Sequence, residues 1–270
     1  MKGIILAGGR GLRLYPLTKV TNKHLLPIGK EPMIFNPIRK LTEAGIKDIM
    51  VVTSTDHMGS IVNLLGSGTE LGVNFTYKVQ ESSKGIAHAL SLAQNFVHDD
   101  KMVVILGDNI TIGSIVPFIE KFKKQDKGAK VLLKKVENPT RFGVAAIDEH
   151  QVLEIKEKPN KPKSNYAVIG YYMYDSKVFD IISKLKPSDR GEYEITDVNN
   201  EYIKMGELTY DFLEAEWTDA GTFESLLYAN NIVLKEKKTP EDDDKVTKKQ
   251  LKAMIDDEKK KIEQLEKYLK

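Results

Sequence analysis

The sequence contains no cysteine. That absence excludes disulfides, thiolate-bound zinc and a cysteine nucleophile together. An excess of one charge is missing too. Lys and Arg number 41 against 39 Asp and Glu, a net charge of +2. With no basic stripe carrying interleaved aromatics, nucleic acid is not an expected partner. Long hydrophobic runs are also lacking: stretches such as 46–52 and 102–106 fall far short of the roughly 20 residues that span a bilayer, so no membrane partner is expected either. The chain opens Met1-Lys2-Gly3-Ile4-Ile5-Leu6, a strand pattern without a small-residue cleavage site, which reads as no secretory signal and a cytoplasmic location. The histidines, His24, His57, His88, His98 and His150, show no metal-ligand spacing. What remains is a small-molecule partner.

What is present is an ordinary globular composition, 41% hydrophobic and 30% charged, over 270 residues. Short apolar runs rich in strand formers occur at 3–7, 48–53, 73–79, 102–106 and 130–136. Between them, 31–44, 56–65, 84–96 and 114–124 carry apolar residues near helical spacing. That alternation predicts an α/β fold, a mostly parallel mixed sheet with helices on both faces, which binds ligands at the carboxyl ends of its strands. Further strands are expected at 143–148, 152–157, 167–174 and 208–213, and helices at 176–185, 194–205 and 222–235.

Composition changes at Thr239-Pro240: 18 of the 32 residues from 239 to 270 are charged. Two parts are therefore expected, residues 1–238 as the main domain and 239–270 as a charged linker with a C-terminal helix. Leu251, Ile255, Glu258, Ile262, Leu265 and Leu269 form an amphipathic seam with one charged interruption. It reads as a solvated docked helix, an oligomerisation helix or an appended segment.

Chemistry concentrates where strands end. After the first strand, Leu6-Ala7 leads into Gly8-Gly9-Arg10-Gly11-Leu12-Arg13-Leu14. Glycines let backbone amides close on phosphate oxygens, and arginines neutralise and chelate them. The pattern is neither the Walker nor the dinucleotide fingerprint. The glycines alone would equally suit a tight turn. Lys23 precedes Leu25-Leu26-Pro27, an extended anchor that would project the ammonium from a fixed base, although a lone lysine is ordinarily solvated. Asp108, in Gly107-Asp108-Asn109 after a strand, is sited to hold Mg²⁺ or to serve a turn. Asp219, in Trp217-Thr218-Asp219-Ala220-Gly221-Thr222, is either a second metal ligand or a helix cap. Gln80 opens a loop that reaches Gly85, and Glu157-Lys158-Pro159 closes a strand with an acid and a base.

As a set these motifs are far more specific than any one of them. Gly8-Gly9-x-Gly11-x-Arg13-Leu14-x-Pro16-Leu17-Thr18, Lys23-x-Leu25-Leu26-Pro27, Gly107-Asp108-Asn109, Glu157-Lys158-Pro159 and Trp217-x-Asp219-x-Gly221-Thr222 resemble the sugar-phosphate nucleotidyltransferases, in order, over about residues 1–236. The resemblance implies a Rossmann-like, three-layer core, and within the family it is strongest to members that join dTTP to glucose 1-phosphate. It implies that Leu6, Gly8, Gly9, Gly11, Leu12, Arg13, Lys23 and Asp108 meet the nucleotide, with Gln80 and Gly85 on the base. It implies Asp108 and Asp219 as ligands for Mg²⁺, and Asn109, Gly143, Glu157, Lys158 and Val168 around the sugar phosphate. Arg13, Lys23, Asp108, Lys158 and Asp219 form the implied catalytic set, in a homo-oligomer. Two departures stand out: Leu12 occupies a position where threonine is common, and His24 follows Lys23 where glutamine is common.

Overall fold

The computed structural model describes residues 1–236, so the seam expected in 239–270 lies outside the described residues. A compact unit spans Met1–Val233. Its first half contains strands β1 (Lys2–Ala7), β2 (Pro27–Ile28) and β3 (Glu31–Pro32), helix α1 (Phe35–Glu43), β4 (Asp48–Ser54), α2 (Met58–Leu65), β5 (Asn74–Gln80), α3 (Ile86–Ser91), α4 (Gln94–Val97), β6 (Met102–Leu106), β7 (Asn109–Thr111) and α5 (Val116–Lys124). The second half contains β8 (Ala129–Lys135), β9 (Gly143–Ile147), β10 (Val152–Glu157), β11 (Tyr166–Tyr174), α6 (Val178–Lys184), α7 (Ile195–Lys204), β12 (Leu208–Phe212) and β13 (Trp217–Asp219). Helix α8 (Phe223–Glu236) ends the described chain.

β6, β1, β4 and β5 lie side by side, all parallel, because helical crossovers join them in the chain; β1, β4 and β6 are buried apolar runs, and β5 is a more polar edge strand. β11 then turns the sheet antiparallel, pairing β6 and β9 along one edge and β8 along the other. Both faces are buried. Ile4, Leu6, Val52 and Val104 point to one layer, and Ile5, Ala7, Val51 and Ile105 point to the other, the period-two split of a strand covered on both sides. This is the three-layer α/β arrangement with a mixed sheet. A third cluster joins Leu14, Ile28 and Met33 to Ala229 and Ile232 of α8.

The sequence-based boundaries need two corrections. The helix expected over 31–44 begins only at Phe35, because Glu31 and Pro32 pair with Ile28 and Pro27 in a short hairpin. The helix expected over 84–96 is two short helices. Ser91 Oγ donates to the His88 carbonyl (2.8 Å), the acceptor that the next α-helical turn would need, and Ala93 N bonds back only to Leu90 O. Besides the two strands of that hairpin, two more escaped the sequence. β7 and β13 are three residues each and pair antiparallel with Asn109 opposite Asp219.

Candidate active site

The β7–β13 pair is what brings the two acids together. Asp108 lies at the carboxyl end of β6, one residue before β7, and Ala220 N donates to Asp108 O (2.8 Å), so Asp108 and Asp219 face one another across the pairing. Burial raises the pKa of Asp219, the charge of Asp108 raises it further, and Arg141, Arg13 and Lys23 oppose both. Burial also pushes Asp108 upward, but the Lys23 ammonium beside it and hydrogen bonds from Lys23 and Asn109 hold its carboxyl well below the usual range. Two acids in one cleft are thus driven apart in proton affinity.

Lys23 and Arg13 flank this pair. Lys23 Nζ is 2.5 Å from Asp108 Oδ2 and 3.7 Å from where a Cβ on Gly9 would stand, so the ammonium sits beside both the carboxylate and the glycine turn. Gly11 takes φ 62°, and a side chain there would meet Thr18 and Lys23; Thr18 Oγ1 closes the turn on Gly11 O (3.0 Å). The turn sends Leu14 into the third core cluster and leaves the Leu12 side chain in solvent. Arg13 extends across to β13, its Nη2 2.8 Å from the Cβ position of Gly221.

Two pockets of similar size, about 250 and 220 Å³, share Asp108, Leu106 and Ile86 as a common wall. The first lies against Leu6, Gly8, Gly9, Lys23, Gln80 and Gly85. Gln80 Nε2 donates to Gly85 O (3.3 Å) and His88 Nδ1 (2.9 Å), which places its oxygen on the Gly8 side. Gly85 is at φ 94°, where a Cβ would stand 2.5 Å from the Tyr193 carbonyl oxygen, so this loop is clamped to the segment before α7. The second pocket lies against Arg13, Asn109, Gly143, Glu157, Lys158 and Val168. Glu157 Oε2 accepts from Thr196 Oγ1 (2.7 Å), and Lys158, at φ 42°, holds its N–H on Phe142 O (2.9 Å). A non-glycine residue in the left-handed region before a proline costs energy, and such strain concentrates at functional sites.

Every site residue expected from the sequence lines one pocket or the other except Gly11 and Leu12, which shape the turn beside them. Asn109 does line the second pocket, yet its side chain is spent inside the protein. Nδ2 donates to Asp108 Oδ1 (2.9 Å), and Oδ1 accepts from Gly170 N (3.0 Å) and Trp217 Nε1 (2.8 Å). Sequence reading missed several residues. Arg141 Nη2 reaches Asp219 Oδ2 at 3.3 Å, Thr196 holds Glu157, and Glu192 lines the first pocket. Asn199 lines the second pocket with its Oδ1 accepting from Tyr174 OH (2.6 Å) and its Nδ2 buried without a protein partner. No local signal marks these residues, since each is brought in by tertiary contact. His24 is fully enclosed, with Nδ1 on Asn22 Oδ1 (2.7 Å), and burial with the Lys23 charge pushes its pKa down to about 3, leaving a neutral ring.

No group of three or more His, Cys, Asp or Glu side chains suited to a metal occurs among the described residues. The Asp108–Asp219 pair nevertheless fits Mg²⁺, which takes one or two protein carboxylates and completes its shell with water and substrate phosphate. The charge of Asp108 raises the proton affinity of Asp219, and a divalent cation held between the two carboxylates would relieve that repulsion.

A glycine turn with two cations, an acid pair at a strand terminus and two adjoining pockets define an α/β protein built to bring a polyphosphate and a second ligand to one charged seam. The sequence profile of the nucleotidyl transferase family matches residues 2–236, and the chain belongs to that family. It is 43% identical over 237 residues to a glucose-1-phosphate thymidylyltransferase of Neisseria meningitidis, covering 86% of this chain and 82% of that one. It is 42% identical to a low-salt glycan biosynthesis nucleotidyltransferase of Haloferax volcanii, covering 88% of this chain and 67% of the relative. Among solved structures, a Bacillus anthracis protein assigned as a glucose-1-phosphate thymidylyltransferase superposes with a TM-score of 0.83 at 59% identity, over 86% of this chain and 94% of the other. A UDP-glucose pyrophosphorylase bound to UDP-glucose gives a TM-score of 0.78 at 26% identity, over 87% and 98%. No helix among the described residues is long and apolar enough to cross a membrane.

Proposed function

We propose that this chain transfers a thymidylyl group from dTTP to glucose 1-phosphate, forming dTDP-glucose and pyrophosphate. The observation that carries the reading is the pair of pockets meeting at Asp108, one walled by the glycine turn and Gln80, the other by Glu157, Lys158 and Gly143. The names of the relatives supply the nucleotide and the sugar.

The backbone of Gly8, Gly9 and Gly11 cradles the triphosphate, and Arg13 and Lys23 neutralise it. Gln80 and the Gly85 loop address the base. Glu157, held by Thr196, accepts from sugar hydroxyls, and Lys158 meets the sugar phosphate. A phosphate oxygen of the sugar 1-phosphate is already an anion, so it attacks the α-phosphorus in line, the bond to the β-phosphate oxygen breaks, and pyrophosphate leaves without a general base. The residues' work is to align the two phosphates and screen their repulsion. Asp108 and Asp219 would hold Mg²⁺, which supplies further positive charge to the reacting phosphates when bound. The same reading carries a homo-oligomeric, cytoplasmic enzyme with residues 239–270 as an appendage to a catalytic body of 1–238.

The test is pyrophosphate release from purified protein with glucose 1-phosphate and Mg²⁺, run side by side with dTTP, UTP, CTP, ATP and GTP. The expected outcome is the highest kcat/KM with dTTP. A preference for UTP, the nucleotide of the pyrophosphorylase that shares this fold, would keep the reaction and reassign the donor, since one methyl group is a small handle for discrimination. No release with any nucleotide would overturn the reading.

A further inference from the structure

Each acid of the pair is closed by a cation of the protein itself. On Asp108, Oδ2 is taken by Lys23 Nζ at 2.5 Å and Oδ1 by Asn109 Nδ2 at 2.9 Å. Asn109 cannot withdraw, because its own oxygen is fixed by Gly170 N and Trp217 Nε1 in the core. Lys23 can. The base of its side chain is packed beside Gly11, but the ammonium ends a flexible stem and already lies next to the Gly9 backbone. On Asp219, Oδ2 is taken by Arg141 Nη2 at 3.3 Å, from a side chain that is 39% exposed and lies over the Phe142 ring.

We propose that Lys23 and Arg141 are built-in counter-ions that close the Asp108–Asp219 pair to a divalent cation until a polyphosphate draws them off, so that metal and nucleotide enter the site as a unit. The inference rests on the reading of Asp108 and Asp219 as the metal ligands and adds the order in which they become available. A cation arriving alone has to displace a nearly buried ammonium and leave it unpaired, which carries a heavy penalty. A triphosphate seated on the Gly8–Gly11 turn offers that ammonium a new anion within a short swing, and the freed carboxylate is then open. By linkage, whatever factor the nucleotide adds to metal affinity the metal returns to nucleotide affinity.

The test uses Mn²⁺ as the probe on the full-length chain, with free Mn²⁺ read by electron paramagnetic resonance in the absence of nucleotide, and with protein-bound Mn²⁺ in the presence of dTTP read by water-proton relaxation against an Mn²⁺–dTTP control without protein. Without nucleotide, Lys23→Met is expected to bind Mn²⁺ roughly 10- to 100-fold more tightly than the unmodified protein, although it has lost a phosphate contact. Arg141→Gln, at a half-exposed position that endangers the fold less, is expected to tighten binding by a smaller factor, roughly threefold. Asp108→Asn should remove the site with or without dTTP. If Lys23→Met and Arg141→Gln bind Mn²⁺ alone no better than the unmodified protein, while dTTP still recruits Mn²⁺ through Asp108, the closure is overturned and the metal assignment stands. If dTTP recruits no Mn²⁺, or Asp108→Asn recruits it equally, the metal assignment fails and takes the closure with it.

Discussion

On the proposed function, the two halves of the sheet solve different recognition problems. On the parallel side, β1 ends at a turn of three glycines that exposes backbone amides, and β5 ends at Gln80. On that reading its ligand would be met at strand termini, by groups whose position the parallel ladder dictates. On the antiparallel side, β9, β10, β11 and α7 build a wall of side chains, with Glu157 placed by Thr196 and Lys158 by a strained backbone. A phosphate chain needs many similar donors and is well served by main chain. A sugar, with hydroxyls in distinct directions, needs individually placed acceptors. Asp108 stands where the two halves join, just past the end of β6, which pairs parallel with β1 and antiparallel with β11.

Breaking that seam should cost most. Asp108→Asn keeps the volume and removes the charge that faces Lys23 and, on the proposed function, the metal. The expected loss in kcat is at least about a thousandfold, with far-ultraviolet circular dichroism unchanged. Retention of most activity at saturating Mg²⁺ would show that the seam carries no chemistry.

Substitutions on either side should separate. Gln80→Leu is expected to raise KM for dTTP roughly 10- to 50-fold, with KM for glucose 1-phosphate nearly unchanged. Glu157→Gln should do the reverse. A substitution that moves both constants equally would mean that the pockets are one coupled unit. The clamp of Tyr193 on Gly85 is the structural route for such coupling, because the loop of the first pocket is closed by the segment leading into α7, whose Thr196 serves the second.

The same division decided what could be read in advance. The long strands were legible because each is an apolar run or a segment rich in strand-forming residues, and the glycine turn, Lys23, Asp108, Glu157-Lys158 and Asp219 were legible because strand ends concentrate chemistry. The pairing of β7 with β13 was not. Asn109-Ile110-Thr111 and Trp217-Thr218-Asp219 are too short to carry a period, and they become strands only because a distant segment lies beside them. Local rules read Asp219 as a metal ligand or a cap and could not place it opposite Asn109. Arg141, Thr196 and Asn199 were invisible for the same reason. The break after Ser91 depends on one hydroxyl choosing a backbone carbonyl, a contest that periodicity does not register.

The smallest expected effects compare stability in the two halves. On the β8–β11 side of the sheet, Asp211 on β12, which pairs parallel with β8, accepts from Lys130 on β8 at 2.7 Å, with the lysine side chain only 6% exposed. Burial pushes Asp211 upward, but hydrogen bonds from Lys121 and Lys130 outweigh it and leave the carboxyl below its ordinary value. In the parallel half, Asp48 accepts from Lys2 at 2.8 Å and Asn74 at 3.0 Å, yet it is 43% exposed. Asp211→Asn leaves a buried ammonium without its counter-charge and should destabilise by roughly 1–3 kcal/mol near neutral pH. Asp48→Asn should cost no more than about 0.5 kcal/mol, since water screens the pair. A depressed carboxylate contributes stability above its unfolded pKa and loses it as pH falls through the folded one. The gap between Asp211→Asn and the unmodified protein should therefore narrow as pH is lowered from about 5 toward 3 in urea titrations. A gap that persists at low pH would assign the loss to packing of β12 on β8 rather than to charge, and would remove this ion pair from what distinguishes the two halves.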